Sequence, residues 1–153
     1  MTKRYWLMKS EPHEFSIDSL QKIGVEPWTG VRNYQARNFM MKDMHVGDGI
    51  FFYHSSTAIP GIAGIAKVAS EAYPDPTQFN KKSDYYDPAS KPEEPRWWLV
   101  DVAFERKFKR VVTLDELRPL ADKLGGMVLL QRGSRLSVQP VTAAQWKTIL
   151  TLE

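Results

Sequence analysis

The sequence contains no cysteine, and this absence excludes several kinds of chemistry together. Disulfide bonds, thiolate zinc sites and cysteine nucleophiles all require a thiol. The three histidines, His13, His45 and His54, are not paired at the spacing of metal ligands. His13-Glu14 resembles the start of a zinc-protease motif, but isoleucine occupies position 17, where the second histidine is required. We therefore expect neither a bound metal nor a cofactor.

Long hydrophobic runs and phosphate-binding glycine loops are also missing. No stretch approaches the roughly 20 apolar residues that a membrane helix needs, and the first six residues lack the apolar run of a signal peptide. Gly47-Asp48-Gly49 lacks the third glycine of a dinucleotide loop, and no nucleophile elbow occurs. A cytoplasmic protein without a membrane partner is expected, and hydrolase, dehydrogenase and kinase chemistry is disfavoured.

What the sequence does contain fits one domain that spans residues 1–153, expected to be a monomer. Hydrophobic residues make up 42% of the chain, which is enough for a packed core. The net charge of +3 favours a polyanionic partner only weakly. Aromatic residues are more informative, because several lie beside proline, glycine or charged residues instead of within apolar runs.

Residue patterns predict an α+β barrel in which strands alternate with short helices. Strands are predicted from β-forming residues at 4–9, 50–54, 62–69, 97–104 and 136–141. Helices are predicted at 16–24, 34–44, 113–125 and from 142 onward, the last two because each begins with a capping box. Turn residues predict a turn at 26–30 and a long surface loop at 74–95.

Five segments are distinctive in their order and spacing. They are 5–12 (YWLMKSEP), 28–38 (WTGVRNYQARN), 47–55 (GDGIFFYHS), 61–66 (GIAGIA) and 130–141 (LQRGSRLSVQPV). Together they closely resemble the EVE domain family of the PUA-like superfamily, which also includes YTH and ASCH domains. The resemblance covers essentially the whole chain. It implies a PUA-like curved β-barrel of five to six strands with flanking short helices and a pocket at one barrel mouth.

The resemblance also implies a function, which is to bind a modified nucleobase, in particular a modified cytosine, flipped out of DNA or RNA. Such a base needs stacking surfaces and hydrogen-bonding partners for its edge. We expect Trp28 to stack on the base and Glu11 to accept from an exocyclic amine. The candidate ligand-binding residues are Ser10, Glu11, Trp28, Thr29, Asn33, Tyr34, His54 and Ser55. The side chains of all of these except Thr29 and Ser55 are expected around one cavity, which the segment 132–135 also lines.

Cations are needed for the phosphates beside a flipped base, and arginine forks suit phosphate oxygens. The candidate phosphate-binding residues are Arg32, Arg37, Arg132 and Arg135. The basic run 106–110 is interpreted instead as a solvated strand end. Trp97 and Trp98 are adjacent on a predicted strand, so only one of them can face the pocket.

Two other functions stay open. ASCH-type relatives include amidohydrolases that act on acylated cytidine, and Lys9 and Glu11 would be the corresponding pair here, with the lysine pKa lowered by burial. A small-ligand or adaptor domain would need only one pocket and a weakly basic surface. Titration with free nucleosides and modified oligonucleotides, followed by product analysis, separates the three. Binding without product indicates a base reader, conversion indicates an enzyme, and neither indicates an adaptor.

Overall fold

The computed structural model describes residues 3–153. The strands are β1 (Tyr5–Ser10), β2 (Val25–Pro27), β3 (Gly49–His54), β4 (Gly61–Val68), β5 (Tyr73–Pro74), β6 (Trp98–Leu99), β7 (Asp101–Thr113) and β8 (Val138–Val141). The α-helices are α1 (Ile17–Ile23), α2 (Tyr34–Asn38), α3 (Leu114–Leu117) and α4 (Ala143–Leu150). A π-helical turn, Phe39–Asp43, continues α2, and 3-10 turns lie at Pro76–Phe79, Arg118–Leu120 and Val128–Leu130.

Six strands form one mixed sheet in the order β2-β7-β4-β3-β1-β8. Only β1 and β3 run parallel, so Ser10 lies beside His54 where both strands end. Register shifts in the β3–β4 and β4–β7 pairs allow the sheet to curl into a half-barrel. The predicted α+β class and curved barrel are thus confirmed. No helix in the described part of the chain is long and apolar enough to cross a membrane.

The central strands are buried on both faces because their side chains alternate between two hydrophobic cores. On β1, Met8 packs in a first core with Phe52 and Trp28. Its neighbour Leu7 packs in a second core with Phe51. The first core lies under α1 and α2, whereas the second lies under α3 and α4. The ends of β1 and β3 therefore have two distinct surroundings, one on each face of the sheet.

Local capping chemistry explains where the helices begin and end. The Ser16 side chain accepts from the Ser19 backbone at the start of α1, and Gly24, with φ near +90°, ends this helix. The capping box predicted for α4 is present. The predicted helix at 113–125 is wrong in length, because the α-helical part ends at Leu117 and Pro119 supplies no backbone donor to continue it.

Two predictions about strands need correction. The predicted turn at 26–30 starts later, since Val25–Pro27 forms an edge strand paired with β7, where proline is tolerated. The strand predicted at 97–104 is replaced by β6 and a much longer β7. The basic run 106–110 therefore lies inside a strand and not at its end. Three of its cations pair with carboxylates, in the pairs Arg106–Glu153, Lys107–Asp18 and Arg110–Glu116.

The proline-rich segment at 74–95 is anchored by buried polar groups. Gln78 is fully buried, and its amide group donates to the Asp75 and Trp97 carbonyls at 2.7 and 2.8 Å. Its carbonyl oxygen accepts from the Ser90 hydroxyl and from the Trp97 backbone. The segment is thus a surface loop only in part, because these hydrogen bonds fix its two halves together.

Asp75 joins this segment to the turn that follows β2. Its carboxylate is 1% exposed. One oxygen accepts from the backbone and hydroxyl of Thr77 at 2.8 and 2.6 Å. The other accepts from the Gly30 backbone at 2.9 Å and from the Arg32 guanidinium at 3.1 Å. A single buried carboxylate therefore holds together two segments that are more than forty residues apart.

We expect Asp75→Ala to lower the free energy of unfolding by about 3–5 kcal/mol, because it leaves a mostly buried guanidinium and two backbone donors without their acceptor. Urea denaturation followed by circular dichroism measures this loss. Asp84→Ala is the control, since Asp84 is exposed in the same segment. A loss no larger than that of the control would show that Asp75 does not hold the two segments together.

Candidate functional site

A cavity of about 400 Å³ lies beside the end of β1, on the face of the first core. This volume lies within the range of about 300–1,000 Å³ that small-ligand sites occupy. We call it the Trp28 cavity. Its lining residues are Lys9, Ser10, Glu11, Glu14, Phe15, Glu26, Pro27, Trp28, Thr29, Gly30, Val31, Arg32, Tyr85 and Ser137.

Trp28 serves both the core and the cavity wall. Its side chain is only 8% exposed. It packs edge-to-face against Phe52 and Phe15, with ring centroids 5.6 and 6.4 Å away. Trp28, predicted within the turn at 26–30, is therefore mostly a core residue, because its indole packs against the two phenylalanines of the first core. The part of the ring that stays accessible faces the cavity.

Three more predicted ligand residues, Ser10, Glu11 and Thr29, also line the Trp28 cavity. The Ser10 hydroxyl donates to the Phe15 carbonyl at 2.5 Å, which fixes the turn after β1. Glu11 lies at the rim and pairs with His13 at 3.3 Å. Lys9 and Glu11 both line the cavity, and we find no ion pair between them in the described chain.

Glu26 lines the cavity, although it is not among the site residues predicted from the sequence. Its neighbours in β2 are exposed, whereas its own side chain is half-buried, because strand alternation turns it toward the cavity. Burial raises the pKa of its carboxyl group. The backbone of Glu26 pairs with Val102 of β7, but its carboxyl group has no hydrogen bond or ion pair with any residue between 3 and 153. Because this segment was predicted to be a turn, the alternation of its side chains, which indicates that Glu26 faces inward, was not predicted.

Tyr85 forms another wall that the sequence did not indicate. Its ring lies directly against Gly30, where an added Cβ would approach ring atoms to 2.6 Å. Arg32 donates to the Tyr85 carbonyl at 2.7 Å and also to Asp75. The guanidinium lies 5.6 Å from the Tyr85 ring centroid. Glycine at position 30 and the Arg32 hydrogen bonds together place this aromatic ring at the cavity.

Four predicted ligand residues lie outside the Trp28 cavity, so the expectation of a single shared cavity is corrected. The Asn33 side chain accepts from the Ala36 backbone and caps α2. Tyr34 stacks on Trp97 at 4.8 Å. The His54 imidazole accepts from the Ile17 backbone, and burial lowers its pKa, which keeps it a neutral acceptor. Ser55 follows β3 and donates its backbone N–H to the Ser10 carbonyl.

The two adjacent tryptophans also lie outside this cavity. Trp97 is buried and donates to the Asp87 carboxylate at 2.7 Å, which lowers the pKa of that carboxyl group. Trp98 is half-buried and donates to the Pro95 carbonyl. Neither therefore takes the place at the pocket that was expected for one of them.

The four arginines predicted to bind phosphate fall into two pairs. Arg32 is bound to Asp75 and Tyr85, and Arg37 donates to Asn38 and to the Arg96 carbonyl. Arg132 and Arg135 are exposed, and we find no intramolecular partner for either guanidinium among residues 3–153. They line a different depression of about 410 Å³, together with Asn33. Only this second pair is available to an external anion without breaking internal bonds.

A group of three exposed side chains at the cavity rim could in principle hold a metal ion. One ligand atom from each of Glu11, His13 and Glu14 lies within 4.8 Å of the others. All three side chains are exposed, and such groups are common at protein surfaces without a metal.

The fold and sequence are similar to those of known proteins. Thymocyte nuclear protein 1 from Danio rerio is 48% identical, over 97% of this chain and 71% of that protein. A crystal structure of a Pseudomonas syringae protein is 53% identical, with a TM-score of 0.92 and coverage of 97% and 98% of the two chains. The crystal structure of human THYN1 protein in complex with DNA that contains 5-methylcytosine is 44% identical, with a TM-score of 0.93 and coverage of 98% and 97%.

The EVE domain family matches residues 4–152, which is nearly the whole chain. The sequence similarity covers the segments that build both walls of the Trp28 cavity, and the structural similarity extends over the entire fold. This chain therefore belongs to the EVE domain family.

Proposed function

We propose that this protein is a DNA-binding module that takes a modified base, in the first instance 5-methylcytosine, into the Trp28 cavity. The observation that carries the proposal is the human relative, with a TM-score of 0.93, that was crystallised in complex with DNA that contains 5-methylcytosine. The cavity supports it, because a flipped base needs an enclosed site with aromatic walls and polar groups for its edge.

Glu26 supplies an acceptor for a cytosine edge. Cytosine presents an amine donor at C4 beside two acceptors, and a carboxylate is the usual acceptor for that amine. Glu26 is a better candidate for this acceptor than Glu11, since Glu11 is exposed and already paired with His13. Lys9 borders the same cavity, but its ammonium lies 5.9 Å from the centroid of the Tyr53 ring, on the face of the second core. Thymine, with a carbonyl in place of the amine, would face an unfavourable carboxylate.

The direct test titrates the protein with oligonucleotides that differ at one base: 5-methylcytosine, cytosine or thymine. Free nucleosides of the same bases are titrated in parallel, and each mixture is analysed for products. We expect tightest binding to 5-methylcytosine and recovery of unchanged nucleoside. Equal affinity for all three bases would contradict a base reader, and conversion of the nucleoside would indicate an enzyme.

We expect Glu26→Gln to weaken binding of amine-bearing bases and to increase stability near pH 7. When folding raises the pKa of a carboxyl group, the folded protein is more stable at low pH than at high pH. This contribution to the free energy of unfolding is fully present below the unfolded pKa and is lost as the pH rises through the folded pKa. Glutamine cannot ionise, so it removes the cost of burying the charged carboxylate, which wild-type Glu26 carries above its raised pKa. Calorimetric melting and nucleoside titration measure the two effects on the same variant.

Wild-type binding of 5-methylcytosine nucleoside should also weaken as pH falls through the raised pKa of Glu26, because a protonated carboxyl is a poorer acceptor for the amine. Glu93→Gln is the control, since Glu93 is exposed and lies away from the cavity. A Glu26→Gln protein with wild-type affinity for these bases would remove Glu26 from the site.

Trp28→Ala should reduce both stability and binding, because the indole belongs to the core and to the cavity wall. Loss of a buried aromatic side chain lowers the free energy of unfolding by about 3–5 kcal/mol. The affinity of the folded fraction for the free nucleoside should fall by about 1–3 kcal/mol if the ring contacts the base. Trp98→Ala, outside the cavity, should leave that affinity unchanged. A folded Trp28→Ala protein that binds like the wild type would exclude the contact.

Arg135→Gln should weaken binding to the methylated oligonucleotide and leave nucleoside binding unchanged, because a guanidinium at this exposed position can contact only the backbone. Arg32→Gln should behave differently and lower the melting temperature, since it breaks the contact with Asp75. Fluorescence anisotropy at two salt concentrations measures the first effect. Equal loss for oligonucleotide and nucleoside in Arg135→Gln would argue against a phosphate contact.

A further inference from the structure

A third concavity, of about 430 Å³, lies at the end of β1 and β3 on the face of the second core. We call it the Arg118 cleft and define it by Lys9, Tyr53, Arg118 and Arg132, which line it together with the backbone around Gly133. Strand alternation places Lys9 on the same face as Leu7 of the second core, whereas Ser10 faces the Trp28 cavity. Lys9 lies at the strand end, and it lines both concavities.

The Arg118 cleft carries positive charge without compensation. Three cations line it, and none of the lining residues in the described chain is acidic. The Trp28 cavity, by contrast, is lined by three glutamates. Arg118 has one ion pair, with Asp115 at 3.9 Å, and both side chains are largely exposed, so this pair neutralises little charge. Three leucines also line the cleft, but its charged groups are all cations, so it is suited to an anion and unsuited to a cation.

Two polar groups that point to a ligand lie at the bottom of the cleft. Tyr53 is 3% exposed, and its hydroxyl has no hydrogen-bond partner within residues 3–153 although it borders the cleft. Lys9 is half-buried, and burial lowers the pKa of its ammonium group. Burial raises the pKa of Tyr53, and the charge of Arg118 opposes that shift. An oxyanion between these groups would accept hydrogen bonds that no protein atom accepts.

We propose that the Arg118 cleft binds a phosphate group. This inference rests on the proposed function, in which the phosphate group belongs to the nucleic-acid backbone next to the base in the Trp28 cavity. The two sites are close together, because a single residue, Lys9, lines both of them. The DNA strand would then pass across the ends of β1 and β3, with the bound base on one face of the sheet and the neighbouring phosphate on the other. A free nucleotide presents the same chemistry, and the experiment distinguishes the two sources.

The first arm uses inorganic phosphate alone, at constant ionic strength, and follows backbone and side-chain resonances by NMR. We expect shifts at Tyr53, Arg118 and Arg132 that saturate with one site. The shifts should be lost in Arg118→Gln and reduced in Tyr53→Phe, which keeps the buried ring and removes only the hydroxyl. Lys109→Gln, an exposed cation on β7 outside the cleft, is the matched control. Shifts spread over all surface cations would overturn the proposal.

The second arm compares 5-methyl-2′-deoxycytidine with its 5′- and 3′-monophosphates and with a methylated oligonucleotide. We expect one monophosphate to bind roughly tenfold more tightly than the nucleoside. Arg118→Gln should remove that gain without changing nucleoside affinity. A gain in the oligonucleotide as well as in the monophosphate identifies the source as the nucleic-acid backbone, and a gain in the monophosphate alone identifies a free nucleotide.

The two arms separate this inference from the proposed function. If phosphate binds the cleft but methylated and unmethylated oligonucleotides bind equally, the base-reader proposal fails and the phosphate site stands. If the methylated oligonucleotide is preferred but Arg118→Gln behaves like Lys109→Gln in both arms, the phosphate site fails and the base reader stands.

Discussion

The carboxylate of Asp75 is the constraint on which the candidate site depends. It accepts four hydrogen bonds while almost fully buried, and these come from both the turn after β2 and the segment before β6. One segment carries Trp28 and the other carries Tyr85, so a single acceptor sets the separation of two cavity walls. Its desolvation is offset because the Arg32 charge and the backbone donors compensate the buried negative charge.

The ends of β1 and β3 organise the rest of the site. These two strands are parallel neighbours and are buried on both faces, so successive side chains along each strand lie in different environments. One face offers glutamates and aromatic rings, and the other offers lysine, arginine and a buried hydroxyl. A nucleotide has a polar, aromatic base and an anionic phosphate, and these two halves match the two faces. Lys9 is the side chain that the two environments share.

The sequence predicts much of the fold because strand alternation and helix capping are local. It predicts the core strands and the helix starts. The length of β7 was not predicted, because the basic run 106–110 was interpreted as a solvated strand end. The candidate site is predicted less well. Asn33 and His54 have the hydrogen-bonding groups that a ligand needs, but both are used by backbone donors. Glu26 was missed because the short strand β2 was interpreted as a turn, and Tyr85 comes to the cavity only through long-range contacts with Gly30 and Arg32, which no local pattern shows.

The division of β1 and β3 between two cores also bears on how this protein unfolds. Leu7 and Met8 are neighbours in the chain, yet each packs in a different core, so neither core can come apart while the other keeps its strands. Such a chain is expected to open cooperatively, with slow amide hydrogen exchange along both strands. The walls that these strands provide would then be present before any ligand arrives, and binding would proceed without a folding step.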